Sequence, residues 1–220
     1  MKILSLFDNI SNFAKDIIFP RRCIYCERTI KNFKKLSVCP SCESIKAFPK
    51  VVRDDRFLFT EVFGVLKYDG AVRNAMIKFK FKSVKYYGYT FAQRMYMFAD
   101  SFPYLKTGIM CCVPISGSRG RAYNQTEVIA THLAEMLGKE CISDLLYKAR
   151  DIKPLSTMNR KQREFCIRGA FGVNPAYDIS GKDVVVVDDI LTSGTTANEC
   201  ARVLLAAGAK RVYIACACYD

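Results

Sequence analysis

The sequence has no apolar run long enough to cross a membrane. The longest uncharged one, Val212 to Tyr219, falls far short of the about 20 residues that a spanning helix needs. It has no internal repeat and no low-complexity tract. It is short of acids: 21 Asp and Glu stand against 34 Lys and Arg, a formal net charge of +13, which points to a polyanionic partner. It has one histidine, His132. This residue lies in an amphipathic helical pattern beside Thr131 and Leu133 and reads as a packing or surface residue, not a general base. The start of the chain lacks a leader pattern. Leu6, Ile10, Phe13, Ala14 and Ile17 recur at helical spacing, but Asp8 interrupts the apolar run and no small-residue cleavage site follows. The expectation is a short amphipathic helix in a cytoplasmic protein without stable membrane insertion. The alternative is a reversible, peripheral contact of that face with the inner surface of the membrane.

What is present is a globular composition, 50% hydrophobic and 25% charged over 220 residues. That length holds one α/β domain with a small appendage, or two modest domains. Eleven cysteines fall into two groups. Cys111, Cys112, Cys141, Cys166, Cys200, Cys216 and Cys218 are scattered through apolar segments, as buried thiols of a reducing compartment are. Cys23, Cys26, Cys39 and Cys42 form two C-x-x-C pairs separated by twelve residues. A hairpin can bring such pairs together as a tetrahedral four-thiolate Zn²⁺ site. With sulfur at all four positions no coordination place is left for substrate, so the metal would be structural, stabilising a segment too short to build its own core. A redox pair or a disulfide framework is the alternative. Pro49 and the charged residues after it mark a boundary, dividing the chain into an N-terminal helix and zinc module at 1–49 and a second domain at 50–220.

The second domain is organised around residues 184–196, VVVVDDILTSGTT. Four consecutive valines suit a strand covered by helices on both faces of a parallel sheet. Two acids, Asp188 and Asp189, close that strand. Thr192, Ser193, Gly194, Thr195 and Thr196 then offer N–H groups and hydroxyls with little bulk, and a helical pattern follows, with Ala197, Cys200, Ala201, Leu204 and Leu205 on one face. A strand, a tight polar loop and a helix N-terminus in succession cradle a phosphate group. It is not a Walker loop, because no Gly-Lys-Ser/Thr follows. Elsewhere, residues 59–68 alternate as a strand, 71–83 read as a helix with Val72, Ala75, Met76 and Phe79 inward, and the aromatic stretch 86–100 as another. Residues 108–116 form a core strand, Gln125 to Leu137 a helix, CISDLLYKA a strand-like segment, NRKQREFCIRG a basic helix, and RVYIACACY the closing strand. Helices alternate with apolar strands, so the expected fold is α/β, an open and mostly parallel sheet with helices on both faces.

The stretch 184–196 resembles the diphosphoribosyl-binding motif of type I phosphoribosyltransferases. In that family the acids hold the ribose hydroxyls of 5-phosphoribosyl 1-diphosphate (PRPP) and the loop wraps its 5-phosphate, roles that pass by position to Asp188, Asp189 and Thr192 to Thr196. The wider chain is similar to the ComF family, or competence protein F: the FPRRC segment, the paired C-x-x-C finger, Lys78-Phe79, the VPI strand end, the YNQ loop, the stretch Arg163 to Phe171 and the PRPP motif all match. It departs at Ala122 and Tyr123, where the family usually has Gly-Phe. The resemblance implies a type I phosphoribosyltransferase-like domain, Mg²⁺ bound with PRPP, pyrophosphate contact from Ser116, Arg119 and Arg121, and a role in taking up single-stranded DNA during natural transformation, with competence or DNA-uptake proteins as partners.

Two basic groups bear on that role. In KFKFKSVKYY, Lys78, Lys80, Lys82 and Lys85 interleave with aromatics including Tyr87, a pattern that tracks a backbone and stacks unpaired bases; the alternative is a plain solvated surface with Phe79 and Phe81 buried. Arg119, Arg121, Arg150, Lys153, Arg160, Lys161 and Arg163 form the second group, suited to PRPP or its pyrophosphate. Two functions therefore stand: a PRPP-binding protein that handles single-stranded DNA, and an active phosphoribosyltransferase with a small acceptor such as a nucleobase.

Overall fold

Asp183–Leu191 and Arg211–Tyr219 run side by side and in parallel through the middle of a six-stranded sheet. The computed structural model describes residues 22–30, 37–82, 84–114, 123–150 and 165–220. The chain divides into two units, Met1–Lys46 and Ala47–Asp220. The expected helix over the first twenty residues lies outside the described residues, as does most of the expected basic helix, of which Phe165 to Ile167 form one helical turn.

In the larger unit the strands are β1 (Lys50–Val52), β2 (Glu61–Lys67), β3 (Ile109–Cys112), β4 (Cys141–Ile142), β5 (Leu146–Lys148), β6 (Phe171–Val173), β7 (Asp183–Leu191) and β8 (Arg211–Tyr219). The helices are α1 (Gly70–Phe81), α2 (Tyr87–Tyr96), the single turn α3 (Tyr104–Thr107), α4 (Gln125–Met136) and α5 (Thr195–Ala206). The main sheet has the order β1-β2-β8-β7-β3-β4, and all its pairings are parallel except β1 with β2. The expected open, mostly parallel sheet is the fold observed.

The valine run explains the middle of the sheet. Val184 to Val187 are all fully buried, because successive side chains point to opposite faces. Val184 and Val186 share one core cluster with Val212, Ile214 and the α5 residues Cys200, Ala201 and Leu204. Val185 faces the other way, where a Cβ on Gly108 would meet its Cγ2 at 2.9 Å. The inward set expected for α1, Val72, Ala75, Met76 and Phe79, is buried.

Two elements differ from their sequence reading. The acids do not end β7, since β8 is long enough to pair Ile190 with Cys218 and Leu191 with Tyr219 beyond them. CISDLLYKA is not one strand. Cys141 and Ile142 extend the main sheet, whereas Leu146–Lys148 pairs antiparallel with β6 in a separate ladder. The break falls at Asp144, whose carboxylate accepts from Tyr177 Oη at 2.7 Å and Asn174 Nδ2 at 3.1 Å. Among the described residues no helix is long and apolar enough to cross a membrane.

Candidate functional site

Asp188 and Asp189 lie in the C-terminal part of β7, which ends at Leu191, and the chain then turns through Thr192 and Ser193 into α5. Gly194 makes the turn possible: its φ is +73°, a left-handed conformation open to glycine at little cost. No side chain caps α5 at Gly194, so the N–H groups of its first turn face outward at the positive end of the helix dipole. Ser193 Oγ and Thr195 Oγ1 lie 2.9 Å apart. Asp188 and the residues Thr192, Gly194, Thr195 and Thr196 line one small pocket. N–H donors and hydroxyls on one side with a carboxylate on the other suit a phosphate ester of a polyol: donors meet the dianion, and the carboxylate accepts from hydroxyls.

The two acids are not equivalent. Burial, followed by repulsion from Asp189, pushes the Asp188 carboxyl up to about 7, against the opposing effects of the Asp189 N–H and of Lys80. Asp188 Oδ1 accepts that N–H at 2.8 Å. Asp189 has a cation of its own, with Lys80 Nζ 2.7 Å from its Oδ2.

Lys80 enters the site because the start of α4 holds the end of α1. Gln125, 1% exposed, donates from Nε2 to the Lys80 carbonyl at 3.2 Å, and Tyr123 Oη donates to the Phe79 carbonyl. The YNQ segment is itself tied to the end of β3. Asn124 caps α4 by accepting from Thr126 N and Glu127 N, and Thr126 Oγ1 donates to Val113 O at 2.6 Å. The aromatic kept at position 123 thus packs on Phe79, with ring centroids 5.7 Å apart.

This placement corrects the reading of KFKFKSVKYY. Tyr87 is 3% exposed, because α2 buries that face, so its ring offers no stacking platform. Lys80 faces the acids and not solvent. Lys78 is half-buried, while Lys82 and Lys85 are exposed. The solvent-facing aromatic beside Lys85 is Tyr86, 40% exposed. Tyr86 and Lys85 form one end of a groove of about 510 Å³ that continues past Tyr123, Glu127 and Val128 to His132. His132 itself lies 3.1 Å from Glu135 on the surface of α4. Ser116, Arg119, Arg121, Lys153, Arg160, Lys161 and Arg163 lie outside the described residues. Arg150 donates to the Cys166 and Arg168 carbonyls at 2.8 and 2.7 Å.

In the small unit, the Sγ atoms of Cys23, Cys26, Cys39 and Cys42 all lie within 4.8 Å of one another. The first knuckle turns at Glu27, whose φ is +61°, and closes with Cys23 N donating to Arg28 O at 2.9 Å. The second pair enters a 3-10 turn at Pro40–Cys42. Burial opposes ionisation of Cys23, but N–H groups of Cys26, Cys39 and Tyr25 prevail and bring its thiol down to about 7. Four converging thiols, one of them disposed to ionise, fit a zinc finger.

Residues 124–220 match the family described as "Phosphoribosyl transferase domain". Over 98 residues the chain is 30% identical to the DNA utilization protein YhgH of Salmonella typhi, covering 44% of this chain and 42% of that one. The chain thus spans less than half the length of these curated relatives. A segment of 39 residues is 54% identical to Ribose-phosphate pyrophosphokinase 2 of Archaeoglobus fulgidus, covering 18% and 14% of the two chains. Among solved structures, glutamine phosphoribosylpyrophosphate amidotransferase from B. subtilis aligns at 21% identity and a TM-score of 0.38, over 59% of this chain and 26% of that one.

Proposed function

Because residues 124–220 are a phosphoribosyl transferase domain, in a chain homologous to the ComF-family protein YhgH, we propose that this protein binds PRPP together with Mg²⁺ and acts in the handling of single-stranded DNA during natural transformation. The observation that carries the reading is one pocket shared by Asp188, a hydroxyl-rich loop at a left-handed glycine and an uncapped helix N-terminus, with Asp189 next to Asp188 on the same strand. Asp188 and Asp189 accept from the ribose hydroxyls. The first-turn N–H groups of α5, with Ser193, Thr195 and Thr196, hold the 5-phosphate. Ser116, Arg119 and Arg121 contact the pyrophosphate. Mg²⁺ fits a site built from carboxylates and ligand oxygens, and when bound neutralises charge on the diphosphate. In the small unit Cys23, Cys26, Cys39 and Cys42 hold a structural Zn²⁺.

A second reading, favoured by the domain match, is transfer of the phosphoribosyl group. The bond from the anomeric carbon to the diphosphate oxygen breaks with its electron pair leaving on pyrophosphate. A small acceptor such as a nucleobase forms the new bond and loses a proton. The chain's own part is orientation, since the loop and the acids fix both ends of the ribose.

The DNA-binding part of the proposal rests on Lys85 and Tyr86, a cation and an exposed ring that border the groove, and on the exposed Lys82 at the end of α1. It does not use Tyr87. Partners would be PRPP, single-stranded DNA and DNA-uptake proteins, at a cytoplasmic or peripheral membrane location.

Titration calorimetry with Mg·PRPP, with ribose 5-phosphate and with pyrophosphate tests the PRPP reading. PRPP should bind more tightly than either fragment, because it engages both ends of the site. Absence of PRPP binding by the zinc-loaded chain would overturn it. Pyrophosphate release on adding candidate nucleobases or amines decides between the two readings.

A further inference from the structure

The described acid–base pairs of this protein differ sharply in setting. Arg53, Arg56, Lys67, Lys106, Arg202 and Arg211 also pair with acids, some of them as buried as Glu61 and Glu199, but the cations' own side chains are between 43% and 76% exposed. Lys80 is 16% exposed and its partner Asp189 13%. Withdrawing an ammonium from water is costly even when it is paired, and Phe79 and Met76 on the same helix show that the local core is otherwise filled by apolar groups. The α1 backbone that carries Lys80 is also fixed from a second element, through Gln125 and Tyr123. A largely covered cation, on a backbone clamped from outside its own helix, sits on one of the two acids of the candidate ribose site.

From this we infer that Lys80 is a ligand-binding residue of the site: its ammonium rests on Asp189 in the ligand-free protein and moves to the diphosphate of PRPP on binding, freeing Asp189 to accept from the ribose hydroxyls. The inference rests on the PRPP reading above. Two adjacent acids and a diphosphate in one small site repel one another. A cation that serves first one and then the other lets the site accept its anion without leaving the partly buried Asp189 unpaired when empty. Lysine suits this exchange, having a compact charge on a flexible four-carbon stem. Arginine's rigid fork would favour staying on the carboxylate.

The test compares Lys80→Gln, Lys80→Met and Lys80→Arg with the wild type, in the full zinc-loaded chain. Calorimetry measures affinity for Mg·PRPP and for ribose 5-phosphate, which lacks the diphosphate. Loss of one charge-assisted contact should weaken PRPP binding about 10- to 100-fold in the Gln and Met variants, while ribose 5-phosphate binds as well as before or more tightly. Lys80→Arg should retain part of the PRPP affinity. Equal loss for both ligands would overturn the inference by reducing Lys80 to a support for Asp189. Tighter PRPP binding by Lys80→Gln would overturn it by making Lys80 a competitor only. A wild type that binds neither ligand would instead refute the PRPP reading itself. The ligand-free melting temperature identifies any variant that fails to fold, and a folding failure of the neutral variants leaves the ligand ratio of Lys80→Arg to decide, unchanged from wild type being the contrary result.

Discussion

Phe57 lies over Gly194 so closely that a Cβ on the glycine would stand 3.3 Å from two carbons of its ring. The same glycine holds φ at +73°, where an L side chain costs roughly 1–2 kcal/mol. Gly194→Ala therefore meets two obstacles at one atom, and the loop must shift to relieve them. The expected outcome is a loss of stability of about 1–3 kcal/mol in a urea melt, with Mg·PRPP binding weakened further than stability alone predicts. A variant that binds as wild type would mean that the turn geometry does not position the phosphate donors.

The acid pair gives the ligand-free protein a pH dependence. The Asp188 carboxyl titrates near 7 in the folded chain, against an ordinary value of 3.8. An acid raised on folding stabilises the fold while protonated, so its contribution is complete below about pH 4 and is lost as pH rises through about 7. Asp188→Asn removes this loss. Relative to wild type the variant should gain more stability at pH 8 than at pH 5, as read by urea melts at both. A difference independent of pH would show that Asp188 is ionised throughout.

Glu61 ties β2 to the turn α3. It is 4% exposed, accepts from Tyr104 Oη at 2.6 Å and from Arg53 Nε at 2.5 Å, and the Tyr104 ring stacks on Tyr213 with centroids 3.9 Å apart. Glu61→Leu leaves the Tyr104 hydroxyl without its acceptor and should cost about 1–3 kcal/mol. Tyr104→Phe keeps the ring stack and the Arg53 contact and should cost less, about 0.5–1.5 kcal/mol. Chemical denaturation of both variants checks the order, and a costlier Tyr104→Phe would contradict it.

Four thiols within 4.8 Å predict one Zn²⁺ per chain in protein purified without added metal. Cys39→Ser should lose the metal and expose residues 22–46 to protease while sparing the larger unit. Native protein free of zinc, with the cysteines joined as disulfides, would contradict the assignment.

Much of this was legible in the sequence because the informative signals were local. The Val184–Val187 run announced a doubly covered strand, and the inward residues of α1 followed from 3.6-residue spacing. The two C-x-x-C pairs announced their cluster. Other features depended on partners distant in the chain. Lys80 looks like any lysine of a basic stretch, and only the pairing of α1 with Tyr123 and Gln125, more than forty positions on, aims it at Asp189. Tyr87 and Tyr86 are neighbours whose opposite exposure is settled by the start of α2. Helical phase separates Lys80 from Lys78, since residues two apart on a helix do not share a face. The end of β7 is not legible locally, because strand length is set by β8, through Cys218 and Tyr219, and not by the acids themselves.

The central claim is that Asp188, Asp189 and the loop at Gly194 form a PRPP site, and thermal denaturation with and without saturating Mg·PRPP tests it most directly. A ligand that binds the native state alone raises the melting temperature by mass action. The account predicts a clear upward shift for the wild type and none for the Asp188→Asn, Asp189→Asn double variant, whose own ligand-free transition remains cooperative. An equal shift in the two proteins would place PRPP elsewhere and contradict the account.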